Sequence, residues 1–378
     1  MTPIQFKDLS LSESLNQAIV DMGFEEASDI QGQAIPPLLA GRDLIGQAQT
    51  GTGKTCAFAI PIVERIDPLS KNVQALVLCP TRELAVQVAE EFRKLLKHKR
   101  FISVVAIYGG DPIQKQLRAL QKRPQIIVGT PGRVIDHLGR KTLRLNAVQS
   151  VVLDEADEML NMGFVDDIEK ILAFTPKERQ TIFFSATLPK AILDLKDRYQ
   201  NNPVHIQVAR QKRTTALIDA SYYEIHRRKK MEMLVYLLEQ HQFQLGLIFC
   251  NTKIQVEELV DRLQVKGYAA EGLHGGMPQR KRDQVMQRFR KGTVHFLIAT
   301  DVAARGIDVS NIEAVFNYDL PLDQEFYIHR VGRTGRAGKS GMAITFVEKS
   351  QLPRLRNFLR CPEISLRREN LPLLAQQA

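Results

Sequence analysis

The sequence has no tryptophan and only four cysteines, Cys56, Cys79, Cys250 and Cys361. The cysteines are widely spaced and form no Cys-x-x-Cys pair. That argues against a disulfide framework or a cysteine-based metal site and fits a reduced compartment. No apolar run approaches the roughly 20 residues that a membrane-spanning helix needs. The opening Met1-Thr2-Pro3-Ile4-Gln5 lacks the apolar core of a secretion signal. The expectation is a cytoplasmic protein with no membrane partner. Acidic residues are also the scarcer sign: 42 Asp and Glu against 52 Lys and Arg leave a net charge of +10. Such a surplus permits contact with a polyanion without requiring it. With 44% hydrophobic and 25% charged residues, the 378-residue chain reads as ordinary globular protein, long enough for two domains or three.

What is present centres on Ala48-Gln49-Thr50-Gly51-Thr52-Gly53-Lys54-Thr55, between a short apolar strand at 43–46 and a helix beginning near Cys56. A strand, a glycine-rich turn and a helix N-terminus make an anion site, because backbone N–H groups curl around phosphate oxygens and the helix dipole favours negative charge. Lys54 then reaches the β- and γ-phosphates, and the Thr55 hydroxyl holds a magnesium ion. The usual pattern starts with glycine, where this chain has Ala48. Taken alone, the run also reads as a β–α turn with an exposed lysine.

Further along, Ala75-Leu76-Val77-Leu78-Cys79 is a continuous apolar run, followed by Leu84, Val88, Phe92 and Leu95 at helical spacing. More short strands are expected at 102–107, 125–128, 151–153, 181–184 and 204–208. Apolar strands separated by amphipathic helices predict a parallel sheet covered on both faces, with functional loops at the strand C-terminal ends. At one such end stand Asp154-Glu155-Ala156-Asp157. Asp154 is placed to hold magnesium and Glu155 to polarise an attacking water; an acidic helix N-terminus would carry the same residues.

The wording of the Gly-rich turn and of Asp154–Asp157 resembles the DEAD-box RNA helicases of superfamily 2. The family's other motifs follow in its order: Pro80-Thr81-Arg82-Glu83-Leu84, Gly109-Gly110, Thr130-Pro131-Gly132-Arg133 and Ser185-Ala186-Thr187. The resemblance implies two RecA-like α/β parallel-sheet domains in tandem: 1–208 carrying the ATP site, a linker at 209–216, and 217–378. It implies ATP and Mg2+ as cofactors. Phe6 and Gln31 then recognise adenine, Thr50, Gly51, Thr52, Gly53, Lys54 and Thr55 hold the phosphates, and Thr55 and Asp154 hold the metal. Pro80, Thr81, Arg82, Gly109, Gly110, Thr130, Gly132 and Arg133 line an RNA path, and Asp157, Ser185 and Thr187 couple the two ligands. Backbone amides beside glycine and arginine side chains read phosphate rather than base, so binding independent of sequence is implied. Where the family has Pro-Thr-Pro-Ile-Gln, this chain has Ala27-Ser28-Asp29-Ile30-Gln31. The missing prolines predict a looser turn.

After the basic stretch 209–215 the strand–helix alternation resumes, with strands expected at 245–249, 294–299, 312–316 and 343–347 and no second P-loop. By the same resemblance, His329, Arg333 and Arg336 belong to the catalytic set, the two arginines as fingers on the γ-phosphate, and Asp308 contacts the ribose. Asn251, Thr252, Gln279, Arg282 and Thr300 face RNA. The family often has His-Gly-Asp where this chain has His274-Gly275-Gly276. The remainder, 348–378, reads as one helix and a short basic tail, so the chain is expected to be a minimal core.

The function implied is an RNA-stimulated ATPase that closes a cleft between its domains and opens short RNA duplexes. It would act as a monomer, with ribonucleoprotein or RNA-decay partners. An ATP-gated RNA clamp or assembly scaffold would use the same residues, and a DNA helicase would share the two-domain plan.

Overall fold

The computed structural model describes residues 4–48, 52–208, 218–304, 309, 311–335, 340–361 and 364–372. The chain divides into two compact units, Met1–Arg210 and Gln211–Ala378. The linker expected at 209–216 lies outside the described residues.

The first unit holds β1 (Leu44–Gln47), β2 (Ala75–Leu78), β3 (Val104–Ile107), β4 (Ile126–Gly129), β5 (Ser150–Leu153), β6 (Gln180–Ser185) and β7 (Val204–Gln207). They form one sheet in the order β3-β4-β2-β5-β6-β1-β7, every pair parallel. The continuous apolar runs have a physical reason. Successive side chains point to opposite faces, and both faces here are covered. Ala75 and Val77 enter one core with Phe58 and Phe92 of the helices Lys54–Arg65 and Arg82–Leu95. Leu76 and Leu78 enter the other core with Ile168 and Ile192 of the helices Val165–Ala173 and Lys190–Tyr199.

The second unit repeats the plan. Its strands are β8 (Ile218–Glu224), β9 (Gly246–Phe249), β10 (Ala270–Leu273), β11 (Phe296–Ala299), β12 (Ala314–Asn317), β13 (Gly341–Val347) and β14 (Arg367–Glu369). Their order is β10-β11-β9-β12-β13-β8-β14, again all parallel. Counted from each unit's own first strand, the two orders are the same permutation. The α/β parallel-sheet expectation holds in both units.

The tail holds the expected helix and, in its basic end, a strand that was not expected. After the helix Leu352–Phe358, Arg367–Glu369 pairs with β8 as an edge strand. Its arginines are spent on neighbouring carboxylates: Arg367 pairs with Asp219 at 3.3 Å and Arg368 with Glu224 at 2.8 Å. A charged edge is also a common way to discourage pairing with another chain.

Candidate active site and nucleic-acid interface

The strand order sorts the motifs. In the first sheet β5, β6 and β1 are consecutive neighbours, so Asp154-Glu155, Ser185-Ala186-Thr187 and the P-loop leave the same edge side by side. The group β3, β4, β2 delivers Gly109-Gly110, Thr130–Arg133 and Pro80–Arg82 next to them. Sequence order alone would not have grouped these segments this way.

Around the P-loop, the Ala48 amide donates to Ser185 O at 3.0 Å, tying the turn to β6. Thr50 and Gly51 lie outside the described residues. Gly53 has φ +92°, and a Cβ there would collide with the Gln31 amide, so glycine is required on both counts. Gln31 Oε1 accepts from Ser28 N at 2.9 Å, its Nε2 donates to Gly53 O at 3.1 Å, and Ser28 Oγ donates to Thr52 O at 2.8 Å. Ser28 and Gln31 thus form a capping box on the helix Asp29–Leu39. That box fixes the turn that the absent prolines were expected to loosen, together with Ala27 N donating to Ile4 O at 2.9 Å. Phe6, expected beside adenine, is 3% exposed and stacks on Phe24 with centroids 6.2 Å apart. The structure places it in the core.

Lys54 opens the helix Lys54–Arg65 and is buried, and its Nζ has no hydrogen-bond partner among the described residues. A buried, unpaired ammonium is costly, and at the mouth of a Gly-rich turn its natural complement is a phosphate. Thr55 follows on the same first turn, half-buried. Asp154, 2% exposed, has its carboxyl pushed up to about 7 by burial; Lys54 pulls it down and Glu155 pushes it further up. Asp154 Oδ1 accepts from Glu155 N at 3.0 Å. A hydroxyl and a buried carboxylate fit a hard divalent cation. Glu155 has φ +52°, left-handed for a residue with a side chain. Backbone strain of this kind is characteristic of active sites.

Asp157 locks the acidic segment to β6. Its Oδ2 accepts from Ala186 N at 3.1 Å, Thr187 N at 2.8 Å and Thr187 Oγ1 at 2.9 Å. Ser185 Oγ accepts from Asp157 N at 3.2 Å and donates to Thr187 O at 2.6 Å. The three residues expected to couple the ligands are therefore one hydrogen-bonded body.

In the neighbouring group, Thr81 Oγ1 caps the helix Arg82–Leu95, accepting from Leu84 N at 3.3 Å. Pro80 is buried in the turn before it. The Arg82 guanidinium lies over Gly110, where φ is +84° and any Cβ would clash with it. Thr130 precedes the helix Pro131–Gly139, and a Cβ on Gly132 would meet open space. Arg133 Nη1 donates to Asp111 O and to Gln116 Oε1, both at 3.2 Å. Sequence reasoning missed what holds Gln116. Its Oε1 is also 3.1 Å from His137 Nε2, and His137 Nδ1 is 2.8 Å from Thr142 Oγ1.

His137 is fully buried, and burial, then Arg133, lower its pKa below 6.5. In the unfolded chain it gains a proton first as pH falls, so its contribution is present above about 6.5 and is lost towards the lower folded pKa. Thermal unfolding of the first unit from pH 7.5 to 5.5 should therefore show an acid decline that His137→Gln flattens. Parallel curves for the two proteins would refute this.

The second unit reuses the same geometry. Thr252 Oγ1 caps the helix Lys253–Val265 by accepting from Gln255 N at 3.2 Å, with φ −127° against −126° at Thr81. His274-Gly275-Gly276 leaves β10 where Tyr108-Gly109-Gly110 leaves β3, and a proline follows two residues later in both. Gln279 Nε2 donates to Asp283 at 2.8 Å, Arg282 Nη2 reaches Ala303 O at 3.5 Å, and Thr300 O accepts from Ala303 and Ala304 amides. Asp308 and Arg336 lie outside the described residues. Arg333 is buried, its Nε donating to His329 O at 3.2 Å.

The residue that organises this unit is Arg330, which stands next to His329 and was not among the residues expected in the site. It is 1% exposed. Nε and Nη2 donate to the two Asp301 oxygens at 2.6 and 2.7 Å, Nη2 also to Asn251 Oδ1 at 2.9 Å, and Nη1 to Asp319 O at 2.7 Å. Phe249 lies under the guanidinium at 5.0 Å. Asn251, expected to face RNA, thus spends its side chain on Arg330 and on Leu320 O at 3.2 Å. The signal was helical: Tyr327, Arg330 and Val331 share one buried face of Gln324–Val331.

Residues 28–195 match the DEAD/DEAH box helicase family, and residues 229–338 match the helicase conserved C-terminal domain. The chain is 52% identical over 366 residues to the DEAD-box ATP-dependent RNA helicase CshA of Bacillus licheniformis, covering 97% of this chain and 74% of that one. It is 49% identical over 371 residues to the ATP-dependent RNA helicase CshA of Listeria monocytogenes, covering 98% and 70%. Among solved structures, S. cerevisiae Dbp5 bound to RNA and ADP BeF3 superposes with a TM-score of 0.88 at 34% identity, over 97% of this chain and 95% of that one. Mss116p bound to ssRNA and AMP-PNP gives 0.86 at 29% identity, over 98% and 80%.

Proposed function

This chain belongs to the DEAD-box family of ATP-dependent RNA helicases, and from that premise we propose how its residues divide the work. The two units are RecA-like domains in tandem, ATP is the nucleotide and RNA the polymer. Lys54 takes the β- and γ-phosphates, and the amides following Thr52 and Gly53 cradle them. Gln31, already bonded to the P-loop, retains a free donor and acceptor site for the adenine edge. Thr55 and Asp154 hold Mg2+, which neutralises charge on the phosphate oxygens. Glu155 orients and deprotonates the attacking water. Arg333 and Arg336 supply the positive charge that stabilises the negative charge on the γ-phosphate oxygens in the transition state.

Arg82, Arg133 and the backbone at Gly110 and Gly132 hold RNA phosphates on the first unit. Thr252, Gln279, Arg282 and Thr300 do so on the second, while Asn251 positions that set through Arg330. Asp157, Ser185 and Thr187 carry the state of the ATP loops to the RNA loops, so each ligand raises the affinity of the other. Closure on a bent strand disfavours a duplex and separates a few base pairs. The protein works in the cytoplasm as a monomer, on ribonucleoprotein or RNA-decay substrates.

The observation that carries this reading is the buried Lys54 Nζ, with no hydrogen-bond partner among the described residues, near the Asp154 carboxyl that burial pushes up to about 7. Phosphate release from ATP, with and without single-stranded RNA, tests it. RNA should accelerate the wild type, and DNA should not. Lys54→Met should weaken nucleotide binding about 10- to 100-fold, the worth of one charge-assisted contact, yet melt no lower than the nucleotide-free wild type. Equal rates with and without RNA would overturn the coupled mechanism.

A further inference from the structure

At the edge of the first sheet opposite the loops just described, the segments leading into β1, β5, β6 and β7 enclose a cavity of about 730 Å³. Its wall carries four cations, Arg42, Arg65, Lys177 and Arg179, and two carboxylates, Asp43 and Glu178. No aromatic or aliphatic side chain lines it. Asp43 is already committed: its two oxygens accept from Thr181 N at 2.7 Å and Asn201 N at 2.6 Å. The cations are not spent in that way. Arg42 donates to Asn202 O, Arg65 to Gln180 Oε1 and Arg179 to Pro176 O, all neutral acceptors. None of the four makes an ion pair among the described residues. Arg179 Nε is buried with no hydrogen-bond partner among the described residues. Burial holds the Arg179 guanidinium below its usual range, with Asp43 opposing.

We propose that this cavity binds a multiply charged phosphate group, at a second site separate from the one that hydrolyses ATP. Three arginine forks match phosphate oxygens in pairs, and four cations against one uncommitted carboxylate leave a surplus for at least a dianion. The volume suits a small ligand or the end of a larger one. A wall without aromatic rings offers no platform for stacking a base, so the phosphate is what is recognised. The six residues of β6 run from Gln180 at this cavity to Ser185 at the ATP loops. At about 3.3 Å per residue the two sites are roughly 20 Å apart, too far for one nucleotide to fill both. The chemistry is shared by free pyrophosphate and by a 5′-phosphorylated RNA end.

Calorimetric titration of inorganic pyrophosphate into the full chain separates the sites. A Lys54→Met protein, weakened at the P-loop, should retain one pyrophosphate site. Adding Arg42→Glu and Lys177→Glu, both exposed positions, should weaken that site at least about tenfold. The Arg42→Glu/Lys177→Glu protein with Lys54 intact should keep its RNA-free ATPase rate, which shows that the catalytic site is sound whatever the titration finds. A preference for 5′-phosphorylated over 5′-hydroxyl RNA, lost in the charge-reversed protein, identifies the RNA end as the source. Pyrophosphate binding without that preference identifies a free phosphate. No binding by Lys54→Met at millimolar pyrophosphate, or binding indifferent to the two reversals, overturns the proposal.

Discussion

An Arg333→Ala protein is expected to hydrolyse ATP in saturating RNA about 10³-fold or more slowly than wild type, with its second unit still folded. The size follows from the role: an arginine that meets charge only in the transition state is worth 10³- to 10⁵-fold, or roughly 4–7 kcal/mol of barrier. ATP and RNA binding should change far less, because the interaction is made only as the γ-phosphate departs. In the structure Arg333 Nε rests on the carbonyl of His329, one turn back. Losing one charge-assisted hydrogen bond costs about 1.5–3 kcal/mol, so that bond accounts for a fall in melting of roughly 3–12 °C. Arg333→Lys keeps a charge but loses the planar fork, and should recover part of the rate at most. Single-turnover phosphate release against RNA concentration makes the measurement. An Arg333→Ala rate within a few-fold of wild type would remove the residue from the catalytic set.

Much of the fold is legible because a strand buried on both faces must be apolar throughout. Ala75–Leu78, the run Val151, Val152 and Leu153 in β5, and Phe296–Ala299 announce themselves in this way. Three strands without such an apolar run belong to the second unit. β8 carries Asp219, Ser221 and Glu224, β10 carries Glu271 and Gly272, and β14 is Arg367-Arg368-Glu369. β10 and β14 are the sheet edges and β8 stands next to one; strands there need only one good neighbour and tolerate charge. Pairing supplied by β13, seven residues long against β8, decides the matter rather than local propensity.

In the site, the residue types proposed to meet phosphate stand out because glycine, lysine and arginine at fixed spacing have few other uses together. The supports were not. The Ser28–Gln31 box replaces two prolines by hydrogen bonds, and nothing in a single sequence weighs one device against the other. Gln116 and His137 sit on different helices and meet only in the fold.

Arg330→Ala should show the opposite pattern to Arg333→Ala, although the two residues are three apart. Here the loss is of stability. Removing the guanidinium strands the Asp301 carboxylate, the Asn251 carbonyl and the Asp319 backbone oxygen, all of which it now satisfies. Breaking a buried pair from one side typically costs 3–5 kcal/mol. In a unit of this size that is a fall of about 6–20 °C in its unfolding temperature. Among the described residues this network lies within the second unit, so the first unit should unfold as before and still bind nucleotide. Hydrogen exchange resolved by segment would separate the two, with protection lost across β9, β11 and β12 and kept across β1–β7. Arg330→Lys is the sharper variant, since it restores the charge but can reach only one side of the set that the fork spans. If Arg330→Ala left exchange in the second unit unchanged, the network would be a consequence of the fold rather than a support for it. The loops after β9 and β11 would then be held by the sheet alone.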